Sequence, residues 1–385
     1  MVMKALVIIG TRPEAIKLAP VIYKLNERPG VEVVVCLTAQ QREMVDQTLQ
    51  VFDIVPDVDL DLMSANQSLN DIASKLVASI GEVIGKYNPD IVLVQGDTST
   101  AFCGALAAFY TKTRVGHIEA GLRTGDRFSP YPEEVNRSMV GKLADYHFAP
   151  TAKSKENLIN DQISESDILV CGNTVIDSLL HVRSLLVESS YSPVSLEGIL
   201  DEKKRTVLVT GHRRENMGQP VREICGAISD IAISRDDVQF VYPVHMNPNI
   251  QRPVTEALAN VSNVHLCDPL NYKDFVWLLN ESALVLTDSG GIQEEAPSFG
   301  KPVLVMRETT ERPEGIESGN AILVGHNRNA IVSSVQQLLD NDTEYKRMAE
   351  KANPYGTGHA SDQIVDFMLN RITAVNGTVE LEMAS

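Results

Sequence analysis

Three acids, Asp97, Glu119 and Glu133, stand where chemistry is done, with Glu134 beside the last. An acid at the end of a buried strand needs a hydrogen-bonding or a catalytic reason to be there, and position alone leaves both open. His212 and His245 also follow apolar runs, where either could hydrogen-bond a phosphate or sugar oxygen or simply serve the fold. Ser289-Gly290-Gly291 ahead of a helix predicts a phosphate cradle. Glycines let the backbone come close, and free N–H groups with the helix dipole favour an anion. A plain tight turn is the other reading. Glu295, one turn into that helix, is placed to take two ribose hydroxyls. Arg12, Lys17, Arg213 and Arg312 supply cations for a diphosphate. Together these residues suggest acid–base work on a nucleotide-linked substrate.

Other chemistries find less support. No GxGxxG follows a strand, so a nicotinamide or flavin dinucleotide is not expected, and neither the GxxxxGK(S/T) phosphate loop nor a GxSxG nucleophile elbow is present. No metal is expected either. His117 and Glu119 have HxE spacing but no third ligand, which predicts a structural pair. Asp59-Leu60-Asp61 matches a DxD pattern but lies among other acids in a loop, which predicts solvated surface.

Such residues need elements to carry them. Short β-branched runs recur at Lys4–Ile9, Glu32–Leu37, Ile91–Val94, Val115–Ile118, Tyr146–Ala149 and Ile168–Cys171. A second series runs through Thr206–Thr210, Gln239–Pro243, Val264–Leu266, Leu284–Thr287, Pro302–Met306 and Ala321–Val324. Continuous apolar strands alternating with amphipathic segments predict parallel sheets covered by helices on both faces. Two series predict two doubly wound α/β domains, and twelve strands are too many for one eight-stranded barrel. The boundary falls near 172–205, where Glu188–Asp201 is rich in Ser and lacks strand character. After the break at Asn353-Pro354, a last helix over 360–369 is placed to return to the first domain. Ligands bind at the carboxyl ends of such strands, and Gly10-Thr11-Arg12, Gln95-Gly96-Asp97, Glu119, Gly211-His212-Arg213, His245 and Asp288-Ser289 all follow strands.

The composition sets outer limits. The 385 residues are 43% hydrophobic and 22% charged, with 34 Lys and Arg against 51 Asp and Glu, a net charge of −17. A surface this acidic repels phosphate backbones, so neither nucleic acid nor an anionic membrane is an expected partner. A small phosphorylated ligand in a cationic cleft remains compatible. The N-terminal apolar stretch is too short for a signal peptide or a span, and five scattered cysteines without CxxC spacing predict buried thiols. A soluble, cytoplasmic protein is expected.

At this point the motifs themselves are specific. GTRPEAIKLAP (10–20), QGDTST (95–100), HIEAGLRTGD (117–126), PEEVNR (132–137), TGHRREN (210–216), PVHMNP (243–248), TDSGGIQEEAP (287–297), TTERPE (309–314) and NPYGTGHAS (353–361) closely resemble the non-hydrolysing UDP-N-acetylglucosamine 2-epimerases. The resemblance runs from about residue 3 to 370 in the family's order. It implies two Rossmann-like doubly wound domains of the glycosyltransferase-B type with an active site in the cleft between them. The N-terminal domain, 1–172 with 357–373, would carry the acid–base residues, and 173–356 would bind UDP, leaving 374–385 as a disordered tail. It also implies a homodimer without cofactor that interconverts UDP-GlcNAc and UDP-ManNAc at C2, through elimination of UDP to 2-acetamidoglucal and re-addition.

By the same resemblance Asp97, Glu119 and Glu133 match the family's essential acids and His212 its essential histidine. Arg12, Lys17, His245, Ser289, Gly290, Gly291, Glu295 and Arg312 match UDP-binding positions. Gln40, Arg42, Glu134 and Arg213 match the neighbourhood where many bacterial members bind a second UDP-GlcNAc as activator. This chain departs from that pattern at Gln41, commonly His, and at Asn66, often Arg. A glycosyltransferase of the same fold, which would need an acceptor, and the hydrolysing epimerases, which release free ManNAc, are the competing readings.

Overall fold

The computed structural model describes residues 2–38, 42–62, 67–211, 213 and 216–383, the side chains of 43 and 373–383 aside. The chain divides into two compact units, 1–178 with 355–385 and 179–354. The boundaries expected from sequence were 172/173 and 356/357.

The first unit is a seven-stranded parallel sheet. Its strands are β1 (Met3–Ile9), β2 (Val31–Leu37), β3 (Val58–Asp59), β4 (Ile91–Gln95), β5 (Arg114–Ile118), β6 (Tyr146–Ala149) and β7 (Ile168–Val170). Their order is β3-β2-β1-β4-β5-β6-β7. Leu6, Ile8, Val34, Cys36, Val92 and Val94 pack with Ile72, Leu76, Ile80 and Val83 of the helix Leu69–Tyr87. Ser68 and Asp71 start that helix as a reciprocal capping box.

The last helix, Ala360–Met383, belongs to this unit. Its Phe367 ring meets Tyr146 and Phe148 edge-on, with centroids 5.9 Å from each. It also runs through 374–383, the segment expected from sequence to fray. No proline interrupts it after Ala360, and extending an existing helix costs far less than starting one.

The second unit is a six-stranded parallel sheet of β8 (Arg205–Thr210), β9 (Val238–Pro243), β10 (Val264–Cys267), β11 (Leu284–Thr287), β12 (Val303–Val305) and β13 (Ala321–Leu323). The order is β10-β9-β8-β11-β12-β13. Val207, Val209, Phe240, Leu284, Leu286 and Leu304 build its core with Ile224, Ile228, Val335 and Leu338 from the covering helices. Each sheet reverses direction once, between β1 and β4 and between β8 and β11. Loops diverge at such a reversal and leave a crevice at the strand ends. No helix among the described residues is long and apolar enough to cross a membrane.

Candidate active site

In the first unit the predicted acids gather at the β1/β4 reversal. The loop after β1 is held close to its neighbour: a Cβ at Gly10 would lie 2.2 Å from Thr100 Oγ1 and 2.9 Å from Thr38 Oγ1. Thr11 and Glu14 then form a capping box, and Pro13 stands in the first turn, so the helix Arg12–Asn26 starts at once. That helix presents Lys17, whose Nζ lies 2.5 Å from Glu119 Oε1. Asn173 Nδ2 donates to the same oxygen at 2.8 Å, and Gln95 Nε2 donates to Oε2. Glu119 itself sits at φ +63°, an uncommon conformation for a side-chain-bearing residue that turns its carboxylate back over the end of β4.

Asp97 receives Arg137 Nε at 3.0 Å and Nη2 at 2.5 Å on one oxygen. Burial, the largest cause, raises its carboxyl above the usual carboxylate range, with Glu119 adding and Arg137 and Lys17 opposing. Asn136 Nδ2 donates to the Asp97 carbonyl at 2.9 Å. Glu133 opens the helix Glu133–Leu143 that also carries Asn136 and Arg137, and its Oε2 is buried without a hydrogen-bond partner. Two neighbouring carboxyl groups thus sit in different settings, one on an arginine and one on a lysine. Such pairs can take separate acid and base roles.

Other predicted residues have partners within the first unit. Glu134 accepts from the backbone N–H groups of Thr124 and Gly125 at 3.0 Å each and from Arg137 at 3.2 Å. His117 is fully buried, with Nε2 2.8 Å from the Gly96 carbonyl, and burial pushes it down to about 3, so it is neutral. Arg42 pairs with Asp59 at 2.7 Å and Asp46 at 3.1 Å. The DxD acids are therefore partners of an arginine, and no group of three metal-binding side chains exists among the described residues. Asp59 also closes β3, a two-residue strand beside β2 that its acidic surroundings concealed.

The second unit repeats the arrangement at the β8/β11 reversal. Fully buried Asp288 accepts from Arg213 N and from Asn216 Nδ2, both at 2.9 Å, and so ties the loop after β8 to the loop after β11. Arg213 Nη2 reaches Glu311 Oε1 at 3.0 Å, and Arg307 Nη1 donates to the other Glu311 oxygen. Burial opposes ionisation of Glu311, but Arg312, Arg213 and Arg307 together outweigh it and bring its carboxyl down to about 2. Arg312 Nε donates to Glu294. Gly290 faces this cluster: a Cβ there would meet Glu311 Oε1 at 3.3 Å and Arg213 Nη2 at 3.6 Å. Gly291 has nothing within 4 Å of its Cβ position, so open space lies before it.

Ser289 N–H is taken by Thr287 Oγ1 at 2.9 Å, and buried Glu295 accepts from Tyr272 OH at 3.2 Å. His245 is exposed and accepts Asn247 N–H on Nδ1 at 3.1 Å. A cavity of about 550 Å³ opens at the ends of β9 and β10, lined by Val244, Gln251, Leu266, Asn271 and Asp274.

His212, Gln40, Gln41 and Asn66 lie outside the described residues. Of the remaining expected activator residues, Arg42 pairs with Asp46 and Asp59, Glu134 with Thr124, Gly125 and Arg137, and Arg213 belongs to the Glu311 cluster. Sequence reasoning missed Glu14, Arg137, Asn173, Arg307 and Glu311 as members of these networks. Only Glu14 had a local signal, the Thr-x-x-Glu capping spacing.

Comparison with known proteins gives concordant results. The family model for UDP-N-acetylglucosamine 2-epimerase matches residues 23–369. The UDP-N-acetylglucosamine 2-epimerase of Escherichia coli K12 is 50% identical over 371 residues, 96% of this chain and 99% of that protein. The crystal structure of UDP-GlcNAc 2-epimerase from Neisseria meningitidis bound to UDP-GlcNAc superposes with a TM-score of 0.90 at 46% identity, over 96% of this chain and all of that one. S. aureus MnaA in its co-structure with UDP gives 0.87 at 42% identity, over 96% and 97%.

Proposed function

The chain belongs to the UDP-N-acetylglucosamine 2-epimerase family and carries that isomerase activity, and from that premise we propose that it works by elimination and re-addition, without hydrolysis and without a cofactor. The C2 proton of the sugar is not alpha to a carbonyl, so direct abstraction is too costly. Departure of the leaving group supplies the driving force. UDP leaves C1 with the bonding electrons as a carboxylate takes the C2 proton, and the C1–C2 double bond of 2-acetamidoglucal forms. A UDP oxygen then adds back to C1 while a proton is delivered to the opposite face of C2, giving UDP-N-acetylmannosamine.

The pairing of Asp97 with Arg137 and of Glu119 with Lys17 at one strand reversal carries this reading, because it offers two carboxyl groups in unlike settings. Glu133, with a buried oxygen that no donor among the described residues uses, is the third acid. We assign the sugar ring to the first unit. In the second, Arg213, Arg312 and the backbone at Ser289–Gly291 hold the diphosphate, Glu295 takes the ribose, and His245 and His212 assist the phosphates. Arg12 and Lys17 complete the charge balance. Because the intermediate is neutral and UDP is free, the site must retain both until re-addition.

The test is proton NMR of the protein with UDP-GlcNAc in D₂O, with no acceptor or cofactor added. UDP-ManNAc carrying deuterium at C2 is expected. Free ManNAc with UDP would identify a hydrolysing enzyme, and an unchanged spectrum would point to an acceptor-dependent transferase. We also take the working form to be a homodimer, and light scattering on the eluting protein should give twice the chain mass.

A further inference from the structure

We propose that Glu14 is a positioning residue for the acid–base machinery, tying the Gly10–Thr11 loop to the loop that carries Asp97 through one buried side chain. The assignment rests on the catalytic role given to Asp97 above. Glu14 is completely excluded from solvent. Its Oε2 accepts from Gly10 N at 3.0 Å and Thr11 N at 2.6 Å, and its Oε1 accepts from Thr98 Oγ1 at 2.6 Å. Three donors from two loops therefore converge on one side chain, at the point where β1 and β4 part.

A capping box alone does not require this. It uses the carboxylate only toward the cap backbone and is satisfied at an exposed surface. Here the second oxygen reaches across the reversal to the residue next to Asp97. Nothing cationic is among its hydrogen-bond partners, so burying the carboxylate carries a desolvation cost that a neutral side chain would avoid. Thr98 is spoken for on both sides: its hydroxyl donates to Glu14 and accepts from Ala101 N at 3.0 Å, capping the helix Ser99–Tyr110. The Asp97 peptide is fixed from one flank by this strut and from the other by Asn136 on its carbonyl, while Arg137 fixes its carboxyl. Proton transfer to carbon is sensitive to displacements of an ångström or less, and a network that removes the loop's freedom raises the rate without touching substrate.

The experiment compares Thr98→Val, Thr98→Ser, Glu14→Gln, the double variant Glu14→Gln/Thr98→Val, and Asp97→Asn. It reads kcat, KM for UDP-GlcNAc, C2 deuterium incorporation and the unfolding temperature. Thr98→Val keeps the shape but removes the donor, and kcat should fall roughly ten- to a hundredfold with KM changed less than about threefold. Thr98→Ser, which restores the hydroxyl, should restore kcat. Glu14→Gln should show a similar loss, and the double variant should be no worse than the poorer single one, because both changes cut the same strut. Should Glu14→Gln not fold, the Thr98 pair decides alone. An inactive Asp97→Asn beside a Thr98→Val of unchanged kcat would overturn the positioning role and leave the mechanism standing. Additive losses in the double variant would also overturn it. A fully active Asp97→Asn would remove the catalytic role of Asp97, and this proposal with it.

Discussion

Glu119 has Lys17 and Asn173 on one oxygen and Gln95 on the other, so its replacement separates chemistry from binding. Glu119→Gln should lower kcat by a factor of about 100 to 10,000, while the affinity for UDP measured by calorimetry stays near that of the natural chain. It should also destabilise the first unit by about 3 kcal/mol, since Lys17 is left half-paired in a buried place. Full activity in this variant would remove Glu119 from the mechanism. The buried titratable groups also predict a stability profile with two opposing slopes. His117 and His147 are pushed down to about 3 and about 4 by burial. Their folded values lie below the unfolded value of about 6.5, so the stability they contribute is present above about pH 6.5 and is lost as pH falls through 4 and 3. Glu14 runs the other way. Burial raises it to about 7 against the opposing hydrogen bonds from Gly10, Thr11 and Thr98, so its contribution is present below about pH 4.5 and is lost as pH rises through 7, a change of about 3 kcal/mol. Urea unfolding between pH 5 and pH 8 should therefore show the natural chain losing stability relative to Glu14→Gln as pH rises to 7, with the histidine slope common to both. Parallel curves would place the Glu14 proton elsewhere.

Among the elements, the loops at strand ends matter most, and their two glycines of interest differ in what surrounds them. Gly10→Ala would drive a methyl group into the Thr100 hydroxyl and Cβ. It should destabilise the first unit by about 2 kcal/mol or more. Gly291→Ala meets open space instead, so its unfolding temperature should hold while UDP affinity falls about tenfold, a cost of about 1.4 kcal/mol for filling the ligand's approach. Loss of stability without loss of affinity would mean that the space before Gly291 is not where the diphosphate lies. The same elements explain what the sequence disclosed. A strand buried on both faces is a continuous apolar run, so twelve strands announce themselves, whereas Val58–Asp59 has two residues among acids and shows only once it pairs with Cys36 and Leu37. Glycines and charges after those runs mark Asp97, Glu119 and Ser289–Gly291. Their partners carry no such mark: Arg137 stands 40 residues from Asp97 and Asn173 stands 54 from Glu119. Only the folded sheet brings them together, and no local spacing encodes that.

For the whole molecule, the order of the chain sets what can be cut. The second unit is one continuous segment, 179–354, with its own core, whereas the first is closed by 355–385 returning to it. That return does more than cover a sheet. Tyr355 O accepts Asn173 N–H at 2.7 Å, and Asn173 in turn donates to Glu119. Gly172 and Gly356 face one another so closely that a Cβ on Gly172 would lie 3.0 Å from the Gly356 Cα. Asp177 accepts from Ser361 N at 2.8 Å at the head of the last helix, and Phe367 completes the aromatic contact with Tyr146 and Phe148. A chain ended at Pro354 should thus lose the fold of its first unit and all epimerase activity, while the isolated segment 179–354 should keep helical circular dichroism and a cooperative thermal transition. The milder Phe367→Ala should cost the first unit about 2 kcal/mol, less than a fully buried ring because Phe367 is half-buried, yet leave Asn173 seated on Tyr355, so kcat at a temperature below its unfolding should be nearly unchanged. If the truncated chain still epimerised, Glu119 would need no support from Asn173 and Tyr355. If Phe367→Ala lost activity while folded, the last helix would reach the site by a route other than the Tyr355–Asn173–Glu119 chain of hydrogen bonds.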